Sequence, residues 1–254
     1  MNWFALAVII VAGIRAFQPD APSISAVQPD KATACPVEEF DKRLEAIDAA
    51  IVKITDLQAE FEQIRRTPLI KKPLVSSGRV RCKGDLVRWD TTKPRESSLL
   101  IGHGVIRVFY PEDKLVEEYP VDEGFRDIAG APLPRLKVLK AKFEVAELAT
   151  KELGGNDSDK DLLALLLTPK SKELRKYVAT VKVLIDMSIN AATKIVITDA
   201  DGDVTETSFR NVKINSGLTT EDVDPKLPLD VRVSRPLGER KAAEPAAKSP
   251  AESK

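Results

Sequence analysis

Three aspartates, Asp199, Asp201 and Asp203, alternate around Gly202 in the manner of a calcium loop. An EF-hand loop needs glycine at its sixth position and glutamate at its twelfth. Counted from Asp199, the glycine comes fourth, Val204 is sixth and Arg210 is twelfth. The run reads instead as an Asp-Gly hairpin turn. His103, the chain's one histidine, lies between Gly102 and Gly104 with no carboxylate close in sequence, which fits an exposed turn rather than a general base or a ligand. Cys35 and Cys82 are the two cysteines; an oxidising compartment permits a disulfide between them, and sequence supplies no geometry to decide it. G-x-S-x-G, H-E-x-x-H, C-x-x-C and Walker patterns do not occur. The expectation is a protein without catalytic residues, metal or cofactor.

The residues that remain are apolar, and they alternate. From Ser77 to Glu117 the chain reads as four consecutive antiparallel strands. Residues 79–83 turn at Gly84-Asp85, residues 86–91 lead through Val87 and Trp89, and Lys93-Pro94 breaks the ladder because proline has no N–H to donate. Leu99–Ile101 ends at Gly102-His103-Gly104, and Val105–Tyr110 is closed by Pro111-Glu112-Asp113. Such a meander marks an all-β sheet or barrel. Val87 and Trp89 share one face, as do Ile106, Val108 and Tyr110. They would fill an ordinary sandwich core, or line the concave side of an incompletely closed barrel.

Ahead of the meander, Phe40, Leu44, Ile47, Ile51 and Ile54 fall on one stripe of a helix over 37–54, with Glu38, Asp41, Arg43 and Glu45 facing out. Residues 56–66 switch to alternation through Leu57, Ala59 and Phe61 and read as a strand. Beyond Tyr119-Pro120, residues 121–134 form a loop rich in glycine, proline and aspartate. Leu136, Leu139 and Phe143 then keep helical spacing, while 143–148 fits a strand equally well. Strands follow over 162–168 and 177–187, and a hairpin joins 195–198 to 205–214. Residues 218–236 keep β-like residues between prolines.

Lysine plus arginine equals aspartate plus glutamate, 39 against 39. That balance argues against a nucleic-acid surface or a polybasic membrane patch as the chain's main business. The apolar run 3–14 is too short to span a bilayer comfortably and has the anatomy of a signal peptide cleaved after Ala16, although no basic residue precedes it. The expected layout is a signal peptide over 1–16, a flexible linker over 17–36, one domain over 37–238 and a disordered tail over 239–254.

The ordered set Ser77-Gly78, Arg88-Trp89-Asp90, Lys93-Pro94, Leu99 to Gly104 and Phe109-Tyr110-Pro111 resembles the LolA family of lipoprotein carriers. The likeness continues in Leu165–Lys170, in the hairpin with Asp199, Gly202, Thr205 and Phe209, in Asn211 and Asn215, and in 229–236. It covers about 40–236. The resemblance implies an incomplete, highly curved antiparallel β-barrel with a helical lid, whose apolar cavity holds the acyl chains of a lipoprotein. Phe40, Leu44, Ile47 and Ile51 would face that cavity from the lid, and Val87, Trp89, Ile106, Val108 and Tyr110 from the barrel. The family's lid-latching arginine falls at Lys83, where a lysine lacks the planar fork needed for bidentate bonding. Val87 stands where the family carries an aromatic.

The implied function is a monomeric periplasmic carrier that moves lipoproteins toward the outer membrane. Its partners would be acylated lipoproteins, an inner-membrane lipoprotein-releasing transporter and an outer-membrane acceptor, with no nucleic acid. The alternative on the same fold is an envelope module for protein interaction or lipid sensing. Cys35 lies too far beyond the apolar run to be the lipidated cysteine of an outer-membrane receptor.

Overall fold

The computed structural model describes residues 37–68, 70–120 and 136–236. The expected signal peptide, the linker, Cys35, the 121–134 loop and the tail lie outside the described residues. Helix α1, Val37–Ile51, carries Glu38 and Glu39 in its first turn, where the helix dipole favours negative charge. It buries Leu44, Ile47 and Ile51, and stops three residues short of the stretch its apolar spacing marks out. Lys53 and Ile54 close it with turn hydrogen bonds to Ala50 and Ile51.

The strands of the first meander are β1 (Asp56–Arg66), β2 (Leu74–Lys83), β3 (Leu86–Lys93), β4 (Ser97–Gly102), β5 (Val105–Tyr110) and β6 (Leu115–Pro120). Helix α2, Leu136–Lys142, leads into β7, Phe143–Leu148, so the undecided stretch after residue 142 is a strand. A short 3-10 helix over Thr150–Leu153 precedes β8, Leu162–Pro169. Helix α3 (Lys172–Arg175) and the strands β9 (Val178–Asp186), β10 (Ala191–Asp199) and β11 (Val204–Ile214) follow. The proline-punctuated end differs from a plain β segment. Thr219 and Asp222 form a capping box that starts helix α4, Thr220–Val223, and only Arg232–Ser234 is a strand, β12.

All twelve strands join one sheet in the order β12-β6-β5-β4-β3-β2-β1-β11-β10-β9-β8-β7, with its two ends unpaired to each other. Neighbours pair antiparallel except β12, which runs parallel to β6. Inward residues of β3, β4 and β5 at one end and of β8, β9 and β10 at the other share a single apolar cluster. The sheet therefore curls around one interior, and α1 lies in it. Two smaller clusters sit on the convex face. Leu86 and Leu100 are covered by Val223 of α4, and Ala164 and Leu184 by Leu153.

One glycine is fixed by close approach. A Cβ on Gly78 would lie 1.9 Å from the Asp90 carbonyl oxygen, at the point where the β2–β3 register shifts between Ser77 and Gly78. The bulge and the missing side chain go together.

Candidate functional site

All nine residues expected to face an apolar cavity meet in the interior cluster. Leu44, Ile47, Ile51, Val87, Trp89, Ile106 and Val108 are buried in it, and Phe40 and Tyr110 pack half-buried at its margin. Strand alternation explains the selection, because every second residue of β3 and β5 points inward. Trp89 anchors the centre. Its ring packs edge-on to Phe61 of β1 at 4.8 Å between centroids and lies 6.0 Å from Phe209 of β11. Seven of the nine side chains are 9 % exposed or less, so α1 occupies the hollow of the sheet as a plug would.

Two polar groups join this interior from β6. Glu117 and Tyr119 are i, i+2 on the strand and both are buried. The Tyr119 hydroxyl donates to Glu117 Oε2 at 2.9 Å, which partners a carboxylate oxygen that burial would otherwise penalise.

Lys83, the expected latch, follows the inward Cys82 and so falls on the convex face with Arg81. There Arg81 donates to the Asp222 carbonyl at 2.8 Å. Hydrogen bonds from Thr219, then the charges of Arg81 and Lys83, hold the Asp222 carboxyl below its usual range. One side chain that ties α1 across to the sheet is Arg43. Its Nη1 donates to Glu147 Oε1 of β7 at 3.0 Å, and its Nη2 donates to the carbonyls of Leu162 and Lys160 beside β8. The helical pattern assigns Arg43 to the solvent face. The structure corrects this: β7 and β8 border that side of the helix. A second tie is exposed, Lys140 of α2 to Asp41 at 3.1 Å.

The C-terminal end of α1 is fixed more firmly. Asn215 accepts from the Thr55 N–H at 2.7 Å and donates to the Lys53 carbonyl at 3.0 Å. Asn211 and Asn215 both sit at a φ of 53°, the left-handed region that asparagine tolerates better than most residues. Next to them Asp56, 2 % exposed, accepts from Ser216 N and Oγ and from Gly217 N at 2.8–3.1 Å. Burial raises its carboxyl, and these hydrogen bonds outweigh burial and lower it.

The expected hairpin turn is present: Asp199 Oδ1 accepts from the N–H groups of Asp201 and Asp203 at 3.0 and 2.9 Å. Burial, with the charges of Asp203 and Asp201, raises the Asp199 carboxyl. Among the described residues no group of three or more histidines, cysteines, aspartates or glutamates is placed to hold a metal ion. His103 is exposed at a φ of 54° in its turn, as its glycine neighbours suggest. It does have a carboxylate partner, Asp224, at 3.0 Å from Nε2 and 121 residues along the chain. Cys82 is fully buried as a free thiol, and burial pushes it far above the ordinary thiol range. No helix of the described residues is long and apolar enough to cross a membrane.

Comparison with known proteins bears on this arrangement. No curated protein matches the sequence significantly. Among solved structures, an uncharacterized conserved protein from Thermus thermophilus is 15% identical, over 78% of this chain and 99% of its own, with a TM-score of 0.47. A putative outer membrane lipoprotein-sorting protein domain from Vibrio parahaemolyticus is 15% identical over 73% and 95%, with a TM-score of 0.40. Mycobacterium tuberculosis lipoprotein LppX is 9% identical over 72% and 99%, with a TM-score of 0.46. The sequence profile of the outer membrane lipoprotein carrier protein LolA matches residues 52–222. That match spans β1 to α4, more than half of the chain, and the chain belongs to the LolA family.

Proposed function

We propose that this protein is a non-catalytic carrier of lipoprotein acyl chains, exported to the periplasm, with α1 as its movable lid. The observation that carries the reading is that α1 seats its apolar stripe in the hollow of an unclosed sheet. An acyl chain entering that hollow replaces Leu44, Ile47 and Ile51 as the filling. Burying three such side chains contributes about 5–9 kcal/mol. A dozen methylenes at about 0.8 kcal/mol each contribute about 10 kcal/mol. For each dozen methylenes taken in, the exchange is close to balanced, so the α1 stripe competes with about one chain's worth of cargo. The hinge lies at residues 52–55, held by Asn215 and Asp56. The catch is Arg43 on Glu147 and the Leu162 carbonyl.

Cargo would come from an inner-membrane lipoprotein-releasing transporter and pass to an outer-membrane acceptor. The test is co-purification or site-specific crosslinking with a triacylated lipoprotein from the same envelope and with its non-acylated form. Only the acylated form should be retained. Equal recovery of the two ends the carrier reading and leaves a protein-interaction module with a permanently filled core.

A further inference from the structure

The β1–β2 hairpin outruns the sheet on its β3 side, while on the other side β1 stays paired with β11 to its last residue, Arg66 opposite Val204. β3 pairs with β2 only as far as Ser77 opposite Lys93, while β2 continues back to Leu74, paired there with β1 alone. The ribbon thus stands past its β3 neighbour. Its last residues would be expected to be polar, yet Ile70 is 48% exposed, Leu74 53% and Val75 51%. Leu74 and Val75 are consecutive in a strand and point to opposite faces, so both sides of the arm are apolar. The charge is equally one-sided. Residues 65–75 hold Arg65, Arg66, Lys71 and Lys72 and no acidic residue, in a chain of zero net charge. Arg65 is engaged with Asp203 at 2.6 Å, and Arg66 lies 3.6 Å from Glu206. Lys71 and Lys72 are exposed beside Ile70.

Large apolar groups left in water and flanked by lysines match the headgroup–acyl boundary of an anionic bilayer, where aliphatic side chains sink and ammonium groups meet phosphates. We infer that the β1–β2 arm is a docking element for an anionic membrane surface, with Ile70, Leu74 and Val75 inserted and Lys71 and Lys72 on the lipid phosphates. This function goes beyond cargo binding and stands without it, since β1 and β2 lie four or more strands from β8 and β7, which hold the α1 catch, and docking needs no movement of α1.

The test uses the full chain without cargo and flotation with vesicles of equal parts phosphatidylcholine and phosphatidylglycerol. The double variant Ile70→Glu/Leu74→Glu should lose about ten-fold or more in affinity relative to wild type. The pair Lys71→Gln/Lys72→Gln should lose binding to these vesicles and the salt dependence that goes with it. Both comparisons are within the full chain, so the apolar run 3–14 contributes equally on each side. In an Ile70→Trp variant, emission should move to the blue on adding vesicles. The substituted positions are exposed, and circular dichroism with thermal unfolding checks each fold. Unchanged vesicle affinity in the glutamate variant, or an Ile70→Trp signal that does not move, overturns the proposal. An arm that serves an acidic protein groove instead would give that same overturning result. Retention of acylated cargo by the glutamate variant is expected to match wild type, which separates this outcome from failure of the carrier reading.

Discussion

Arg43 of α1 and Glu147 of β7 meet at 3.0 Å although 104 residues separate them. The same guanidinium reaches the Leu162 carbonyl on β8, so one planar fork spans two strands at the β7 edge. The pair is partly shielded, at 22% and 25% side-chain exposure, where a charge-assisted bond contributes more than on an open surface.

Replacing that fork should loosen the lid without dismantling the barrel. Arg43→Met keeps the aliphatic stem and removes the bonds, which should cost about 1–2 kcal/mol. Hydrogen exchange of the α1 amides should quicken, and bound acylated cargo should be held for a different time. Lys83→Met, on the convex face, should leave both unchanged. A Lys83 effect larger than that of Arg43 would return the catch to β2.

Charge placed at the edge of the hollow should stop capture. Phe40 and Tyr110 are half-buried, so Phe40→Glu and Tyr110→Glu leave the new carboxylate within reach of water. Both should fold and both should fail to retain acylated cargo. Val87→Glu and Trp89→Asp make poor probes, because those side chains are 0% and 2% exposed. Burying an unpaired charge there should cost several kcal/mol and unfold the sheet. Thermal unfolding beside the retention assay separates the two classes.

Acid should destabilise the protein through Asp90. Burial raises its carboxyl, but hydrogen bonds from Ser98 and Arg88, with the charges of Arg88 and Arg81, outweigh burial and lower it. As pH falls, the unfolded chain takes up this proton before the folded one. The contribution is complete above about pH 5 and is lost progressively below about pH 4. Asp56 has the same sign. Asp90→Asn should be less stable than wild type at neutral pH, and the gap should narrow steadily on acidification. Denaturant midpoints measured across that range read it directly, and a gap that widens in acid would contradict it.

Gly78→Ala should be costly for a surface-strand glycine. The new methyl meets the Asp90 carbonyl at 1.9 Å, a backbone atom that cannot turn away. The β2–β3 bulge must move, at a cost of about 2 kcal/mol or more. An unchanged melting temperature would mean that the bulge relocates freely.

Much of the fold was legible because its signals are local. Gly84-Asp85 and His103-Gly104 are two-residue turns between alternating strands, and Leu57, Ala59 and Phe61 announce β1 by period alone. The apolar members of the interior followed from that alternation. What stayed hidden depends on neighbours distant in the chain. Arg43 reads as a solvent residue because a helical period shows which face is apolar, not which strand borders it. His103 finds Asp224, and Asn215 finds Lys53 and Thr55, across more than a hundred residues each. β12 is three residues long, too short for any period to show, and its parallel pairing with β6 has no sequence signature.

The strand order holds a consequence for how the chain reaches this state. From β1 to β6 and from β7 to β11, every sheet neighbour is also the next strand in sequence, so each half assembles through short loops. Two pairings break the pattern, the three-residue β12–β6 contact and the far longer β1–β11 seam, which sets Leu57 opposite Ile214 and Phe61 opposite Phe209. Joining it closes a loop through nearly the whole domain, and such long-range pairing is entropically slow. Two half-sheets forming quickly and zipping late along one line is the kinetic behaviour this order favours. Until that line closes, Trp89 lacks Phe209, and the hollow that receives α1 has only one wall.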